Sequence, residues 1–131
     1  VNTRIYKIAD YEMLKDWWQD RWGNAPAVYT LPQSGLIVSV DGRDVAAGWL
    51  YLDSTTPVAL MGLPVTAPDN TARESAEALK CLLGGLVAMA KSQGRTMVLA
   101  SFPDGSLSRL VESCGFVVQD TGMNHLTMEV T

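Results

Sequence analysis

The sequence predicts a single α+β domain over residues 1–131, with helices packed on a mixed central sheet. Three observations predict it. Apolar residues recur with period two in some stretches and with the helical period in others, and the two kinds interleave along the chain. Three consecutive strand-like segments are joined by tight turns, so part of the sheet is an antiparallel meander rather than a parallel array. With 131 residues, 47% of them apolar, the chain is long enough to bury one core.

The elements follow in order. Residues Arg4 to Ala9 alternate at Ile5, Tyr6 and Ile8 and read as a first strand. Asp10 then stands where an N-cap accepts from the free N–H groups of a new helix. Across residues 11–22, Leu14, Trp17, Trp18 and Trp22 lie along one helical face, and Gly23-Asn24 stops the helix. Residues 24–35 hold two prolines and read as loop. Leu36 to Val40 is a β-branched run, Asp41-Gly42 is a hairpin turn, and Val45 to Leu52 returns. A turn at residues 53–56 leads to a third strand, Pro57 to Thr66. Pro64 inside it cannot donate to a ladder, so the strand is expected to kink.

Asn70 to Gln93 is the longest helix, with Ala72, Ala76, Leu79, Leu83, Leu86, Val87 and Ala90 on the helical period and Gly94 as its stop. Thr96 to Phe102 (TMVLASF) reads as a buried strand. Asp104 or Ser106 caps a short helix running to Cys114, and Gly115 ends it. Phe116 to Gln119 and Asn124 to Val130 read as a closing hairpin across Asp120-Thr121-Gly122.

Composition narrows the function classes. Ten Lys and Arg against fourteen Asp and Glu leave a net charge of −4, and mean hydropathy is +0.08. A disordered chain is excluded, and so is nucleic-acid wrapping, which relies on clustered basic charge. Cys81 and Cys114 form no CxxC pair, and His125 is the only histidine, so no metal site is expected and both thiols read as small buried hydrophobes. No basic-then-apolar leader and no apolar run of about 20 residues is present, which points to a reducing, cytoplasmic setting without a membrane span.

Two local sequences, together with the element order β-α-β-β-β-α-β-α-β-β, resemble the GNAT superfamily of acyl-CoA-dependent N-acetyltransferases. The first is LMGLPVTAP followed by the long helix, residues 60–93. In the family a bulged strand precedes a helix that opens with Arg/Gln-x-x-Gly-x-Gly/Ala. The second is SLSRLVESCGF, residues 106–116, similar to the family's short helix and Gly-Phe step before its last hairpin. The resemblance implies a GNAT-like sheet of about six to seven strands with helices on both faces. It also implies acetyl-CoA as cosubstrate and an amine acceptor, either a small molecule or a protein.

The physical basis is plain. A helix N-terminus offers unpaired N–H groups to a pyrophosphate, and glycines allow close approach. Here the pattern falls on Thr71, Glu74 and Ala76, with Arg73 and Ser75 beside them. Glu74 stands where the family has glycine, and its carboxylate repels phosphate. It also suits a helix's first turn with no ligand at all. The splayed strand implies that Leu63, Val65 and Thr66 meet the pantetheine arm and supply an oxyanion donor. The family's general-acid tyrosine falls on Val111, which has no proton to give, and its asparagine falls on Asp104. Cys114, beside the Gly-Phe step, reads as packing.

For the base that deprotonates the amine, the candidates are His125 on the last strand and Asp53 at a strand end. A solvent-facing histidine and a turn aspartate are the ordinary readings of the two. Adjacent indoles at Trp17 and Trp18 imply that one of them lines the cleft or a homodimer contact. The implied activity is direct acetyl transfer to an unidentified amine. The alternative is a catalytically inactive GNAT-fold protein, a binding or virion-associated one. Short divergent family members occur in bacteriophage genomes, and this chain resembles them in length and in its altered phosphate loop.

Overall fold

The computed structural model of the chain describes residues 1–102 and 105–130. Two compact units form, Val1–Ser101 and Phe102–Thr131.

In the first unit, β1 (Asn2–Ile5), β2 (Gly35–Val40), β3 (Arg43–Leu52), β4 (Val58–Thr66) and β5 (Met97–Ala100) make one five-stranded sheet in sequential order. The first four strands are antiparallel and β5 runs parallel to β4. The β2–β3 turn places Asp41 at φ 52° and Gly42 at φ 78°. Both central residues therefore have positive φ, as in the two-residue turn whose twist matches its strands. The meander, the mixed sheet and the parallel last pairing agree with the expected α+β class.

The two long helices, α1 (Tyr11–Trp22) and α2 (Ala72–Ser92), cover opposite faces of this sheet. Alternation along paired strands explains how. Leu36 and Gly48 are register partners on the α2 face, where Leu82 and Leu86 crowd Gly48 so closely that a Cβ there would meet Leu82 at 3.0 Å. Ile37, Ala47 and Trp49 point the other way and join Tyr6, Leu14, Trp17, Trp18 and Val65 in a second apolar layer. The Trp18 and Trp49 rings lie 5.4 Å apart, and Tyr6 meets Trp49 edge-on at 5.3 Å.

Several expectations are corrected. The first strand ends at Ile5, and a 3-10 turn, Ile8–Asp10, follows. Asp10 stands at the N-cap position of α1, as expected, but its carboxylate makes no capping bond and instead closes the preceding turn, accepting from the Lys7 N–H at 2.9 Å and from Arg4. Trp17 and Trp18 are both buried, at 7% and 3% exposure. The apolar stripe is wide enough to carry neighbouring positions, about 100° apart, into the same core. Trp22 is the exposed indole of α1. The strand expected to be buried, β5, has β4 as its one neighbour among the described residues, and Met97 and Leu99 are exposed.

The second unit contains α3 (Ser106–Ser113). Its start is closed by Gly105, whose N–H donates to Ser108 Oγ at 3.0 Å. Asp104, expected as its cap, lies outside the described residues. Cys114 is exposed rather than buried. Among the described residues, 116–130 form no strand, so the expected closing hairpin is not seen there and the sheet counts five strands where six to seven were expected. The segment alternates as a strand would, but alternation without a ladder partner leaves its apolar side chains in water, with Leu126 at 86% exposure.

Candidate functional site

The candidate site is built from two adjoining pieces of the first unit, the C-terminal half of β4 and the first turn of α2. β4 pairs with β5 only from Val58 to Met61. Beyond Met61, among the described residues, no strand takes up the β5-facing edge of Gly62 to Thr66. On its other side this half stays paired with β3, but irregularly. Ala47 opposes Val65 and Trp49 opposes Gly62, so Gly48 alone faces Leu63 and Pro64. This is a β-bulge, and it lies where the proline removes a donor from the strand. Leu63 takes φ 57°, a conformation costly for a branched aliphatic residue. The expected kink is present, and the bulge is its cause.

Of the residues read from the sequence as arm-binding, Leu63 is half-buried, whereas Val65 and Thr66 are buried. β4 then hands over to α2 through Ala67–Thr71. The Ala67 N–H donates to the Val45 carbonyl at 3.0 Å, and the Asn70 amide donates to the same carbonyl at 2.9 Å. The start of α2 is therefore pinned to β3.

That helix end is self-capped. Thr71 Oγ1 accepts from the Glu74 N–H at 3.1 Å, and Glu74 Oε1 accepts from the Thr71 N–H at 2.8 Å. Each side chain satisfies the other residue's backbone donor, the reciprocal arrangement of a capping box. The other oxygen, Oε2, accepts from Arg43 Nη2 at 2.9 Å. The Thr71 N–H first, then the Thr71 hydroxyl, and after them the Arg43 charge hold the Glu74 carboxyl below the usual carboxylate range. Arg43 also donates to Asn70 Oδ1 at 2.8 Å and reaches Asp69 at 3.4 Å. A cavity of about 200 Å³ adjoins this cluster, lined by Arg43, Val45, Glu74 and Glu77 among others.

The remaining residues assigned to the phosphate side are placed as follows. Thr71 is consumed by the cap. Arg73 is exposed and pairs with Glu77 one helical turn on, at 3.4 Å. Ser75 accepts from the Asn70 amide at 3.2 Å, and Ala76 is half-buried. Sequence reading missed Arg43 and Asn70. No local pattern marks Arg43, because its partners lie 26 to 31 positions away.

Of the catalytic candidates, Asp53 stands apart from this geometry within the first unit. Asp53 follows the far end of β3, five residues beyond Gly48, or about 16 Å along an extended strand. Its carboxylate accepts from the Thr55 N–H at 2.7 Å. The Thr55 hydroxyl, then that N–H, hold it below the usual carboxylate range. His125 is exposed in the second unit, and Val111 is buried there. Among the described residues no group of three His, Cys, Asp or Glu is arranged to hold a metal ion, and no helix is long and apolar enough to cross a membrane.

No protein-family profile matches the sequence, and no curated protein does. Solved structures match over nearly the whole chain. Rv2747 of Mycobacterium tuberculosis, in complex with CoA, superposes with a TM-score of 0.74 at 13% identity, covering 95% of this chain and 76% of its own. The aminoglycoside N-acetyltransferase AAC(6')-Iy, in complex with CoA, gives 0.70 at 16% identity, covering 96% of this chain and 93% of its own. The ribosomal-protein-S18-alanine N-acetyltransferase of Escherichia coli gives 0.71 at 13% identity, covering 87% and 76%. This chain has the GNAT N-acetyltransferase fold. Within the GNAT fold, the parting of β4 from β5 and the long helix after β4 are the features that the resemblance read from residues 60–93 anticipates.

Proposed function

We propose that this chain is an acyl-CoA-dependent N-acyltransferase that moves an acetyl group from acetyl-CoA to an amine. The observation that carries the reading is the open, bulged edge of β4 from Gly62 to Thr66, on a fold shared with acetyltransferases. An extended, amide-bearing pantetheine arm fits such an edge as an added strand would. Leu63, Val65 and Thr66 would hold it, and a backbone N–H among them would polarise the thioester carbonyl. Thr71, Arg73, Ser75, Ala76 and Asp104 are the residues proposed for the distal, phosphate end. There the fit is poor, because the Glu74 carboxylate already occupies the first turn of the helix.

The chemistry asked of the chain is proximity and one oxyanion donor. The amine attacks the thioester carbonyl, the C–N bond forms, the C–S bond breaks with its electron pair leaving on the thiolate, and the nitrogen's surplus proton passes to a base or to water. Asp53 is a weak base where it stands, tied into its own turn. His125 is the imidazole left to test. Val111 donates no proton, so the thiolate departs unaided.

The test is calorimetric titration with acetyl-CoA, followed by thiol release in the presence of an amine panel. Binding at about micromolar concentration with amine-dependent thiol release is expected. Absence of binding at about millimolar concentration would overturn the reading. A second reading, a non-catalytic GNAT-fold binding or virion-associated protein, is favoured by the buried aliphatic Val111 and the self-capped helix. Absence of acetyl-CoA binding, or binding without turnover of any amine, would select it.

A further inference from the structure

We infer that Glu74 is a built-in anion at the start of α2, so this chain recognises its acyl donor by the pantetheine arm and gains little from a pyrophosphate. The inference rests on the donor reading above and deepens it.

A pyrophosphate approaching a helix N-terminus needs free N–H groups and uncompensated positive charge. In this chain both are largely committed. The Thr71 and Glu74 N–H groups are taken by each other's side chains. Both guanidiniums near the helix start are paired: Arg43 with Asp69 and Glu74, and Arg73 with Glu77. Three carboxylates against two guanidiniums leave the local charge negative. The two N–H groups without an intrahelical acceptor, those of Ala72 and Arg73, flank a fixed carboxylate. A phosphate reaching those two N–H groups would stand beside that carboxylate, and it could gain the Thr71 and Glu74 N–H groups only by breaking the capping box. Along β4, in contrast, no strand among the described residues of the first unit pairs with the β5-facing edge beyond Met61. Donor affinity is therefore concentrated on the arm, and acyl thioesters lacking the nucleotide are expected to serve nearly as well as acetyl-CoA.

The experiment compares acetyl-CoA with S-acetylpantetheine, which carries no phosphate, by calorimetry on the wild-type chain and on Glu74→Gln and Glu74→Ala. Gln keeps an acceptor oxygen for the Thr71 N–H, so the helix start is preserved while the charge is lost. Circular dichroism checks that each variant is folded. The wild-type dissociation constants are expected to differ by less than about tenfold. Glu74→Gln is expected to tighten acetyl-CoA by about tenfold or more and to leave S-acetylpantetheine unchanged. A wild-type preference for acetyl-CoA above tenfold overturns the inference and leaves the donor reading standing. So does a folded Glu74 pair of variants with unchanged acetyl-CoA affinity. Failure of both donors to bind wild type and variants overturns the donor reading itself, and the inference with it.

Discussion

Arg43 and Glu74, 31 positions apart in the chain, meet at 2.9 Å and join the start of β3 to the first turn of α2. The same guanidinium holds Asn70, whose amide bonds to the Val45 carbonyl, so one arginine organises the whole β4–α2 crossing. This crossing is also where the fold would receive the distal end of a coenzyme. The residues that build it therefore decide both stability and ligand choice.

The reciprocal cap at Thr71 and Glu74 is expected to support the helix start measurably. Thr71→Ala removes the side-chain acceptor and should cost about 1 kcal/mol in urea unfolding, whereas Thr71→Ser should recover most of it. Equal loss in both variants would mean that the hydroxyl contributes nothing.

Gly35 is required by packing. A Cβ at this position would stand 2.5 Å from Trp49 Cδ1 and 3.0 Å from Tyr6 Cβ, in the centre of the aromatic layer. Gly35→Ala is expected to destabilise the chain by about 1 to 3 kcal/mol, read as a lower urea midpoint. Gly84→Ala, where nothing lies within 4 Å, is the matched control and should be neutral or stabilising.

Tyr6 OH is buried with no hydrogen-bond partner among the described residues. Burial pushes its phenol above the usual tyrosine range. Tyr6→Phe keeps the ring packed on Trp49 and deletes an unsatisfied hydroxyl. Stability should stay level or rise by about 1 kcal/mol, and a loss beyond that would show that the hydroxyl has a partner in solution.

Leu63 should reveal the cost of the bulge. At φ 57°, a β-branched residue is worse tolerated than Leu, and Gly is at ease. Leu63→Val is expected to lose about 1 to 2 kcal/mol more than Leu63→Gly in thermal or urea unfolding, although Gly buries less apolar surface. The opposite order would place the strand in an ordinary extended conformation.

Acid should weaken the fold in a defined direction. Glu74 lies below its ordinary value of 4.5 and Asp10 below 3.8. At Asp10 burial pushes upward, but the Arg4 and Lys7 hydrogen bonds outweigh it. Groups with lowered native values contribute stability that is complete above the unfolded-state value and is lost as pH falls through the native one. The melting temperature is expected to be flat from about pH 6 to pH 5 and to fall below about pH 4.5. In Glu74→Gln part of that fall should disappear.

Local patterns made most of the framework legible. The helical spacing of Leu14, Trp17 and Trp18, the Asp41-Gly42 turn and the Gly94 stop each act within a few residues, and the elements form where they indicate. Pro64 announced the kink of β4 for the same reason, since its missing N–H is a property of the residue itself. The strand pattern of residues 116–130 misled, because alternation expresses propensity whereas a strand exists only with a partner to accept its hydrogen bonds.

The sequence by itself determined the α+β class, the meander and the departure from a phosphate-binding glycine at position 74. Those are consequences of local backbone chemistry and side-chain identity. Only the tertiary structure decided that both adjacent indoles are buried, that β4 parts from β5 after Met61, and that Glu74 is locked by Arg43. Each of these depends on chain segments brought together from a distance. Sequence periodicity carries no record of which distant residue closes a helix end, because that choice is made by packing after the elements have formed.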